Sequence, residues 1–325
     1  MLNNMTVLVT GATGSFGKSF INRLLSENQI KSVIAFSRDE LKQFEMQNEI
    51  KNSKLQFFLG DVRDYQRLLQ VTKGVDLVVH AAAMKQIPAS EINPTEAIKT
   101  NIIGAENIVN ASIANGVRKV IALSTDKAAN PANLYGATKL CSDKIMIAGN
   151  SALGNIDTKL SIVRYGNVLG SRGSVIPFFK EQSKLGVIPI TDPNMTRFWL
   201  TIEDSVEFVL KSFQRMQGGE IFVPKIPSFK VVDVAQVVAP DIKIEIIGIR
   251  PGEKLHEVMI TEDDSIYTVE FEDYYAILSP TLKHSEYYTK NGKQVELGFR
   301  FTSDTNRDWH TFDSFKSTLI ANKLL

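Results

Sequence analysis

Residues 6–17 read Thr-Val-Leu-Val-Thr-Gly-Ala-Thr-Gly-Ser-Phe-Gly, and this stretch decides the fold. The apolar run Thr6–Thr10 is typical of a buried strand, and the apolar residues between positions 20 and 25 have helical spacing. Glycines can simply make turns, but a Gly-x-x-Gly-x-x-Gly between a strand and a helix also lets a pyrophosphate approach the backbone N–H groups of the helix N-terminus. The stretch therefore predicts a dinucleotide site at a strand-turn-helix junction.

The end of the second predicted strand, residues 32–36, indicates which dinucleotide is used. NAD-specific domains usually carry an acid here that binds the ribose hydroxyls, whereas this chain has Ser37 followed by Arg38. Because an arginine can bind a 2′-phosphate through charge-assisted hydrogen bonds, we expect NADP, with Lys42 assisting. The alternative is that Arg38 and Lys42 only decorate a solvated helix, and Asp39 leaves that alternative open.

Further strand and helix patterns alternate along the first half of the chain. Strands are predicted at residues 55–59, 75–80, 117–123 and 160–164, with a long helix over 94–115. This alternation predicts an α/β fold built on a doubly wound parallel Rossmann sheet. After the third strand, Asp61 is a candidate to cap the next helix.

Residues 124–139, which follow the fifth strand, hold the candidate catalytic groups. Tyr135 and Lys139 are four residues apart, so both would project from one face of a helix that begins near residue 131. We expect the ammonium to lower the pKa of the phenol and make Tyr135 a base. Asp126 and Lys127 would add an acid and a base at the end of a parallel strand. The alternative for Tyr135 and Lys139 is an ordinary surface pair.

Composition excludes several other functions. The chain has 37 basic and 36 acidic residues, a net charge of +1, which gives no electrostatic case for nucleic acid or an anionic membrane surface. A single cysteine cannot form an internal disulfide, and no histidine or cysteine cluster predicts a metal site. Without a leader or a long apolar span, we expect a soluble cytoplasmic protein.

The chain carries a set of longer motifs along most of its length. They are Ser-Arg-Asp-Glu-Leu-Lys (37–42), Met-Lys-Gln-Ile-Pro (84–88), Ser-Thr-Asp-Lys-Ala-Ala-Asn-Pro (124–131), Leu-Tyr-Gly-Ala-Thr-Lys-Leu (134–140), Arg-Gly-Ser-Val-Ile-Pro-Phe (172–178), Met-Thr-Arg-Phe-Trp (195–199) and Arg-Pro-Gly-Glu-Lys-Leu-His-Glu (250–257). With these motifs and the glycine turn, the chain resembles the extended, nucleotide-sugar-modifying branch of the short-chain dehydrogenase/reductase superfamily. Within it, the chain resembles the C5-inverting UDP-N-acetylglucosamine 4,6-dehydratases of pseudaminic acid biosynthesis. Dehydratases that retain the C5 configuration have Asp-Glu where this chain has Asp126-Lys127.

The resemblance implies an organisation and two sets of binding residues. Residues 1–165 would bind NADP, with a segment at about 200–228 returning to that domain, and residues 166–325 would bind the nucleotide sugar. The cofactor residues would be Gly11, Thr13, Gly14, Ser15, Phe16, Gly17, Ser37, Arg38, Lys42, Asp61, Val62, Ala81, Ala83, Lys85, Ser124, Tyr135 and Lys139. The substrate residues would be Lys85, Thr125, Asn167, Val168, Arg172, Gly173, Ser174, Val175, Phe178, Ile190, Thr191, Arg197, Arg250 and Glu253. A homo-oligomer based on dimers is also implied, with a hexamer as one such form.

The resemblance also implies a mechanism on UDP-N-acetylglucosamine. Tyr135 would take the C4 hydroxyl proton, supported by Lys139, with Thr125 beside it, while NADP is recycled in each turnover. Lys127, its pKa lowered by burial, would remove the C5 proton, and Asp126 would protonate the departing C6 hydroxyl. Either Tyr135 or Lys127 would reprotonate C5. The alternatives are a nucleotide-sugar 4-epimerase, which needs no acid and base at 126 and 127, and a non-catalytic NADP-sensing protein.

Overall fold

The computed structural model describes residues 2–27, 29–152, 157–170, 175–282 and 286–325. In the first half, strands alternate with helices as the sequence predicts. The strands are β1 (Thr6–Thr10), β2 (Ser32–Ser37), β3 (Leu55–Leu59), β4 (Leu77–His80), β5 (Lys119–Thr125) and β6 (Lys159–Tyr165). The helices are α1 (Ser15–Ser26), α2 (Glu40–Glu49), α3 (Tyr65–Val71), α4 (Ile87–Ile92), α5 (Pro94–Ile98), α6 (Gly104–Ala114) and α7 (Leu134–Gly149).

The long helix predicted over residues 94–115 is interrupted. A π-helical turn, Lys99–Ile103, separates α5 from α6. It contains Asn101, whose side chain accepts from Met84 N at 2.8 Å and donates to Met84 O and to Thr138 Oγ1, both at 2.9 Å. Such turns are common at functional sites. This turn lets one asparagine join the loop after β4 to α7.

The second half is less regular. Its strands are β7 (Asn167–Val168), β8 (Val187–Ile190), β9 (Thr196–Leu200), β10 (Ile221–Pro224), β11 (Ser228–Lys230), β12 (Lys243–Ile246), β13 (Val258–Ile260), β14 (Thr268–Glu270), β15 (Tyr274–Ile277), β16 (Lys293–Gln294) and β17 (Phe301–Thr302). Its helices are α8 (Val175–Ser183), α9 (Ile202–Arg215), α10 (Val231–Val238), α11 (Glu286–Asn291) and α12 (Phe312–Ala321).

One large sheet organises the molecule. Among the described residues it has ten strands in the order β16-β14-β15-β10-β6-β5-β4-β1-β2-β3. The segment from β3 to β10 is parallel, and β15, β14 and β16 add antiparallel strands. The predicted Rossmann sheet is confirmed. The chain reverses its direction of winding at β1, which lies between β2 and β4, so a crevice opens there at the carboxyl ends of the strands.

Two apolar clusters form the interior. The larger packs on both faces of the large sheet and includes Leu8, Val79 and Ile121. The smaller is built around Trp199 and Phe229, whose rings stack 5.7 Å apart, and it includes residues of α8, α10 and α12.

The division at residue 165 stays a prediction. The segment α9–β10 does join the large sheet, next to β6. The antiparallel strands β14 to β16, however, also belong to that sheet, which the sequence did not predict. Of the three small sheets among the described residues, β11-β9-β7 and β12-β8 lie beside the second apolar cluster, and the third is β13-β17.

Candidate active site

The main cavity, of about 760 Å³, opens where β1, β4 and β5 end. It brings together nearly all of the residues that were predicted to bind a cofactor. Those that line it are Gly11, Thr13, Gly14, Ser15, Phe16, Gly17, Ser37, Arg38, Lys42, Val62, Ala81, Ala83, Lys85, Ser124, Tyr135 and Lys139. Thr125, Lys127, Asn167, Val168, Arg250 and Glu253 also line it, so some of the predicted substrate residues share this cleft with the predicted cofactor residues.

The glycine turn has the shape that a dinucleotide requires. Gly11 has φ +66°, and a Cβ there would lie 2.8 Å from Ala82 N. A Cβ on Gly17 would lie 2.5 Å from Gly11 O. Gly14 occupies the N-cap position of α1 and offers no side chain to the first N–H groups of the helix. Bare backbone therefore faces the cavity at a helix N-terminus, and these residues fit a pyrophosphate.

Arg38 lies at the far end of this cavity, after β2. Its side chain is 61% exposed and its guanidinium is 3.6 Å from Asp61, whose carboxylate is held more closely by Arg63 at 2.7 Å. Asp61 does not line the cavity but balances the charge of Arg38 behind it. The alternative that Asp61 caps the next helix is wrong, because Asp64 accepts from Arg67 N and caps α3.

The neighbours of Arg38 are arranged by α2. Asp39 caps α2 by accepting from Lys42 N at 3.0 Å, and its carboxylate pairs with Lys42 Nζ at 2.7 Å. The Ser37 hydroxyl is buried and accepts from Gln43 Nε2 at 3.0 Å. Asp39 therefore engages Lys42, while Arg38 keeps most of its surface toward the cleft.

Helix α7 places Tyr135 and Lys139 on the cleft wall. Asn133 caps the helix by accepting from Gly136 N at 2.8 Å, and its amide donates to Gly252 O at 2.8 Å. A Cβ on Gly136 would lie 2.2 Å from Lys127 O, so α7 packs directly on the turn that carries Lys127. Both predicted groups are almost fully buried, with 9% and 3% exposure for Tyr135 and Lys139.

The predicted direction of the Tyr135 pKa shift is wrong. Burial raises the pKa of the phenol to about 12, outweighing Lys127 and a hydrogen bond with Thr125, which both act to lower it. The pKa of Lys139 is lowered by burial, against the attraction of Asp143. Desolvation thus exceeds the effect of the Lys127 ammonium, whereas the spacing had suggested that the Lys139 ammonium would lower the pKa of the phenol.

Asp126 and Lys127 lie in a short 3₁₀ turn, Asp126–Ala128, immediately after β5. The Asp126 side chain is fully buried, and its Oδ1 accepts from Lys127 Nζ and from Thr125 Oγ1, both at 3.0 Å. Burial and the nearby Glu257 raise the pKa of Asp126. A carboxyl group that holds its proton to higher pH is suited to the role of acid.

The expectation for Lys127 is corrected by Glu257, a residue that the sequence reasoning quoted in a motif but did not select. Lys127 Nζ lies 3.1 Å from Glu257 Oε1. Burial acts to lower the pKa of Lys127, but Asp126 and Glu257 together raise it above its ordinary value. The ammonium is therefore stabilised in this structure. Only the His-Glu ending of the 250–257 motif signalled Glu257.

A smaller cavity of about 270 Å³ adjoins the first, and Lys127, Asn167, Arg250 and Glu253 line both. The remaining predicted substrate residues on its wall are Val175, Phe178, Ile190, Thr191 and Arg197. Arg172, Gly173 and Ser174 lie outside the described residues.

The two arginines differ in their surroundings. Arg250 is 55% exposed and 3.7 Å from Glu253, so it can reach a ligand. Arg197 is buried, and its Nη1 donates to Thr196 O at 2.7 Å and to Leu255 O at 3.1 Å, while its Nε faces Glu257 at 3.6 Å. Arg197 therefore has structural partners in addition to any ligand.

The part of the chain that the structure describes contains no grouping of histidine, cysteine and acidic residues that could hold a metal ion. Across the same residues, none of the helices combines the length and apolar character that crossing a bilayer requires.

Comparison with known families gives a match that covers the residues of this cleft. The family model described as "Polysaccharide biosynthesis protein" matches residues 7–279, which include the glycine turn, Tyr135, Lys139 and the 250–257 motif. The chain belongs to this family.

Three relatives of this family member are informative. A protein from Campylobacter jejuni subsp. jejuni named UDP-N-acetylglucosamine 4,6-dehydratase (inverting) is 53% identical over 95% of both chains. A UDP-glucose 4-epimerase from Rickettsia canadensis is 42% identical over 94% of this chain and 93% of its own. The X-ray structure of Pen from Bacillus thuringiensis is 36% identical, covers both chains completely and has a TM-score of 0.92. The predicted resemblance to the inverting dehydratases is confirmed.

Proposed function

We propose that this protein is an inverting UDP-N-acetylglucosamine 4,6-dehydratase, a hydro-lyase, that uses a nicotinamide dinucleotide and recycles it. The 53% identical C. jejuni relatives bear this activity as their name. The observation that carries the proposal is the contact at 3.0 Å between Lys127, which lines both adjoining cavities, and the buried Asp126 directly behind it. An acid and a base at this place are what elimination of water needs.

The larger cavity is the proposed cofactor site. The glycine turn would hold the pyrophosphate, and Lys139 and Tyr135 would flank the nicotinamide end. Bound there, the dinucleotide supplies reversible hydride exchange with the sugar. We propose NADP because Arg38, exposed after β2, offers a 2′-phosphate a charged partner.

Tyr135 is the proposed group at the C4 hydroxyl. Its high pKa in this structure favours the phenol, so the phenolate that would accept the C4 hydroxyl proton has to be stabilised by its neighbours. Lys139, one helical turn away, and Thr125 are the residues that would stabilise the phenolate. The product of this step is a 4-ketone, which makes the C5 proton acidic.

Lys127 and Asp126 are the proposed base and acid of elimination. Burial and the nearby Glu257 favour the protonated form of Asp126, which would deliver its proton to the departing C6 hydroxyl. Lys127 would take the C5 proton, which requires its amine to be neutral. With Asp126 protonated and Lys127 neutral, the two side chains together carry one titratable proton. Once a hydride has been returned to C6, reprotonation of C5 from the other face, by Lys127 or Tyr135, would give the inverted 4-keto-6-deoxy sugar, an early compound of pseudaminic acid biosynthesis.

The second candidate is a nucleotide-sugar 4-epimerase. Relatives named UDP-glucose 4-epimerase are 42% identical over nearly the whole chain. An epimerase would use Tyr135 and Lys139 but leave Asp126, Lys127 and Glu257 without a chemical role. The buried cluster of these three charged groups is costly to form, and it favours the dehydratase.

The decisive experiment is a reaction of the purified protein with UDP-N-acetylglucosamine and NADP. A dehydratase product has lost one water by mass spectrometry, and NMR shows the inverted configuration at C5. A product of unchanged mass with an inverted C4 would establish the epimerase. Sedimentation of the same sample tests the prediction of a dimer-based homo-oligomer.

A further inference from the structure

Glu257 is a buried acid that the proposed chemistry has not yet used. It lies just before β13, and 130 residues separate it from Lys127 in the chain. Its backbone is fixed by Ser303, whose hydroxyl accepts from Glu257 N at 2.8 Å and whose N–H donates to Glu257 O at 2.9 Å. The side chain is 2% exposed and lines the smaller cavity.

The carboxylate of Glu257 is shared between two cations. Its Oε1 lies 3.1 Å from Lys127 Nζ and 3.6 Å from Arg197 Nε. Its Oε2 is buried and has no hydrogen-bond partner among the described residues, and the same holds for Asp126 Oδ2. Burying a carboxylate with one oxygen unpaired costs free energy, so its presence here calls for a functional explanation.

The charges around Glu257 depend on one another. Among the described residues, the charged groups that interact with it are Asp126, Lys127, Arg197 and Lys254. Despite burial, the pKa of Glu257 is lowered by the three cations, so it stays ionised. Its negative charge in turn acts to raise the pKa of both Asp126 and Lys127.

We propose that Glu257 is a positioning residue of the dehydration site. Its carboxylate fixes the Lys127 ammonium beside Asp126 and supplies the negative charge against which the Asp126–Lys127 pair holds its protons. This inference rests on the proposed dehydratase function, because it assigns Glu257 to the elimination step. It leaves the oxidation at C4, which belongs to Tyr135, unaffected.

The charge of Glu257 has a measurable consequence. Elimination needs Asp126 protonated and Lys127 neutral, which is the state with one proton on the pair. Because this state is lost when the pair gains a second proton or loses the first, the elimination rate should have a bell-shaped pH profile. Glu257→Gln removes one negative charge about 3 Å from Lys127. Both protons of the pair then leave more easily, so both limbs of the bell move to lower pH, by about 1 to 3 pH units.

The experiment compares wild type, Glu257→Gln and Glu257→Asp with NADP and UDP-N-acetylglucosamine in deuterated water. The appearance of C5-deuterated product is followed by NMR across pH, and the first hydride transfer is followed by the absorbance of reduced cofactor. We expect Glu257→Gln to shift both limbs of the C5 profile while oxidation keeps its pH dependence. Glu257→Asp retains the charge at a shorter reach, so its limbs should stay in place and its elimination rate should fall by about tenfold or more.

The outcomes separate this inference from the function on which it rests. If wild type forms no dehydrated product, the proposed function and this inference fall together. If wild type dehydrates and Glu257→Gln loses rate with unmoved limbs, Glu257 is only structural and the inference alone is wrong. Should Glu257→Gln not fold, Glu257→Asp still decides, since a wild-type elimination rate in that variant contradicts the positioning role.

Discussion

Gly11 lies so close to Ala82 that a Cβ built on Gly11 would be 2.8 Å from Ala82 N. Gly11→Ala therefore adds a backbone clash to the strain of φ +66°. We expect a loss of unfolding free energy of about 1–2 kcal/mol for the left-handed backbone and a further 1–3 kcal/mol for the contact. Dinucleotide affinity should fall at least about tenfold, because the cradle must shift. Denaturant unfolding and cofactor titration measure the two effects.

Gly74→Ala is the matched control for this prediction. Gly74 has φ +70°, and nothing lies within 4 Å of a Cβ built there. Gly74→Ala should lower the unfolding free energy only by the strain of the left-handed backbone, about 1–2 kcal/mol, and leave dinucleotide affinity intact. Equal losses in the two variants would show that the contact with Ala82 does not matter.

Arg38→Asp tests the choice of NADP. The change removes the exposed guanidinium and places a carboxylate near a 2′-phosphate that carries about −1.5 to −2 charges. NADP affinity should fall by at least about tenfold, from a charged hydrogen bond of about 1.5–3 kcal/mol, while NAD affinity changes little. Calorimetric titration with both dinucleotides measures this. Lys51→Asp, an exposed position just beyond α2, makes the same change in net charge outside the cavity. An equal loss for NAD and NADP at Arg38 would contradict the proposal.

Arg250→Ala tests the predicted substrate contact. Arg250 is half-exposed on the wall common to both cavities, so its loss should weaken UDP binding by about one to two orders of magnitude without unfolding the protein. Arg197→Ala should weaken binding too, but it should also lower the unfolding free energy, since Arg197 holds two backbone carbonyls. Titration with UDP and thermal unfolding separate these effects, with exposed Arg300→Ala as the control. Unaltered UDP affinity in Arg250→Ala would overturn the contact.

The sequence was sufficient for the features that depend on local pattern. The glycine turn between β1 and α1 and the strand boundaries near it were predicted because spacing and apolar periodicity determine them. The position of Tyr135 and Lys139 on one wall also followed, since four residues make about one helical turn. Each of these inferences needed only residues that are near in the chain.

What escaped prediction depends on residues that are far apart. The pKa values of Tyr135 and Lys127 were both predicted to be lowered, and both are raised. Burial of the phenol and the contact of Lys127 with Glu257 cause this, and both arise only in the folded chain. The same is true of β14 to β16, which pair with the large sheet from the end of the sequence. Long-range packing decides these features, and no local pattern encodes them.

The two half-reactions should separate in Tyr135→Phe and Lys127→Ala. Tyr135→Phe removes the phenol at C4, so the first hydride transfer should slow by orders of magnitude and little reduced cofactor should form. Lys127→Ala leaves Tyr135 and Lys139 in place, so C4 is still oxidised, but the C5 proton leaves roughly 10²–10⁴-fold more slowly. Reduced cofactor and the 4-keto intermediate should then accumulate, as absorbance after mixing with UDP-N-acetylglucosamine would report.

Asp126→Asn completes this series, because it should block loss of the C6 hydroxyl while C5 exchange continues. Its side chain keeps the shape of the buried aspartate but has no proton to deliver to the leaving group. Reduced cofactor should accumulate here too, and the sugar should gain deuterium at C5 before it loses water. The two variants are therefore told apart by deuterium at C5, which Lys127→Ala lacks and Asp126→Asn acquires. If Lys127→Ala exchanges C5 hydrogen at the wild-type rate, Lys127 is not the base and the inverting mechanism proposed for this cleft is wrong.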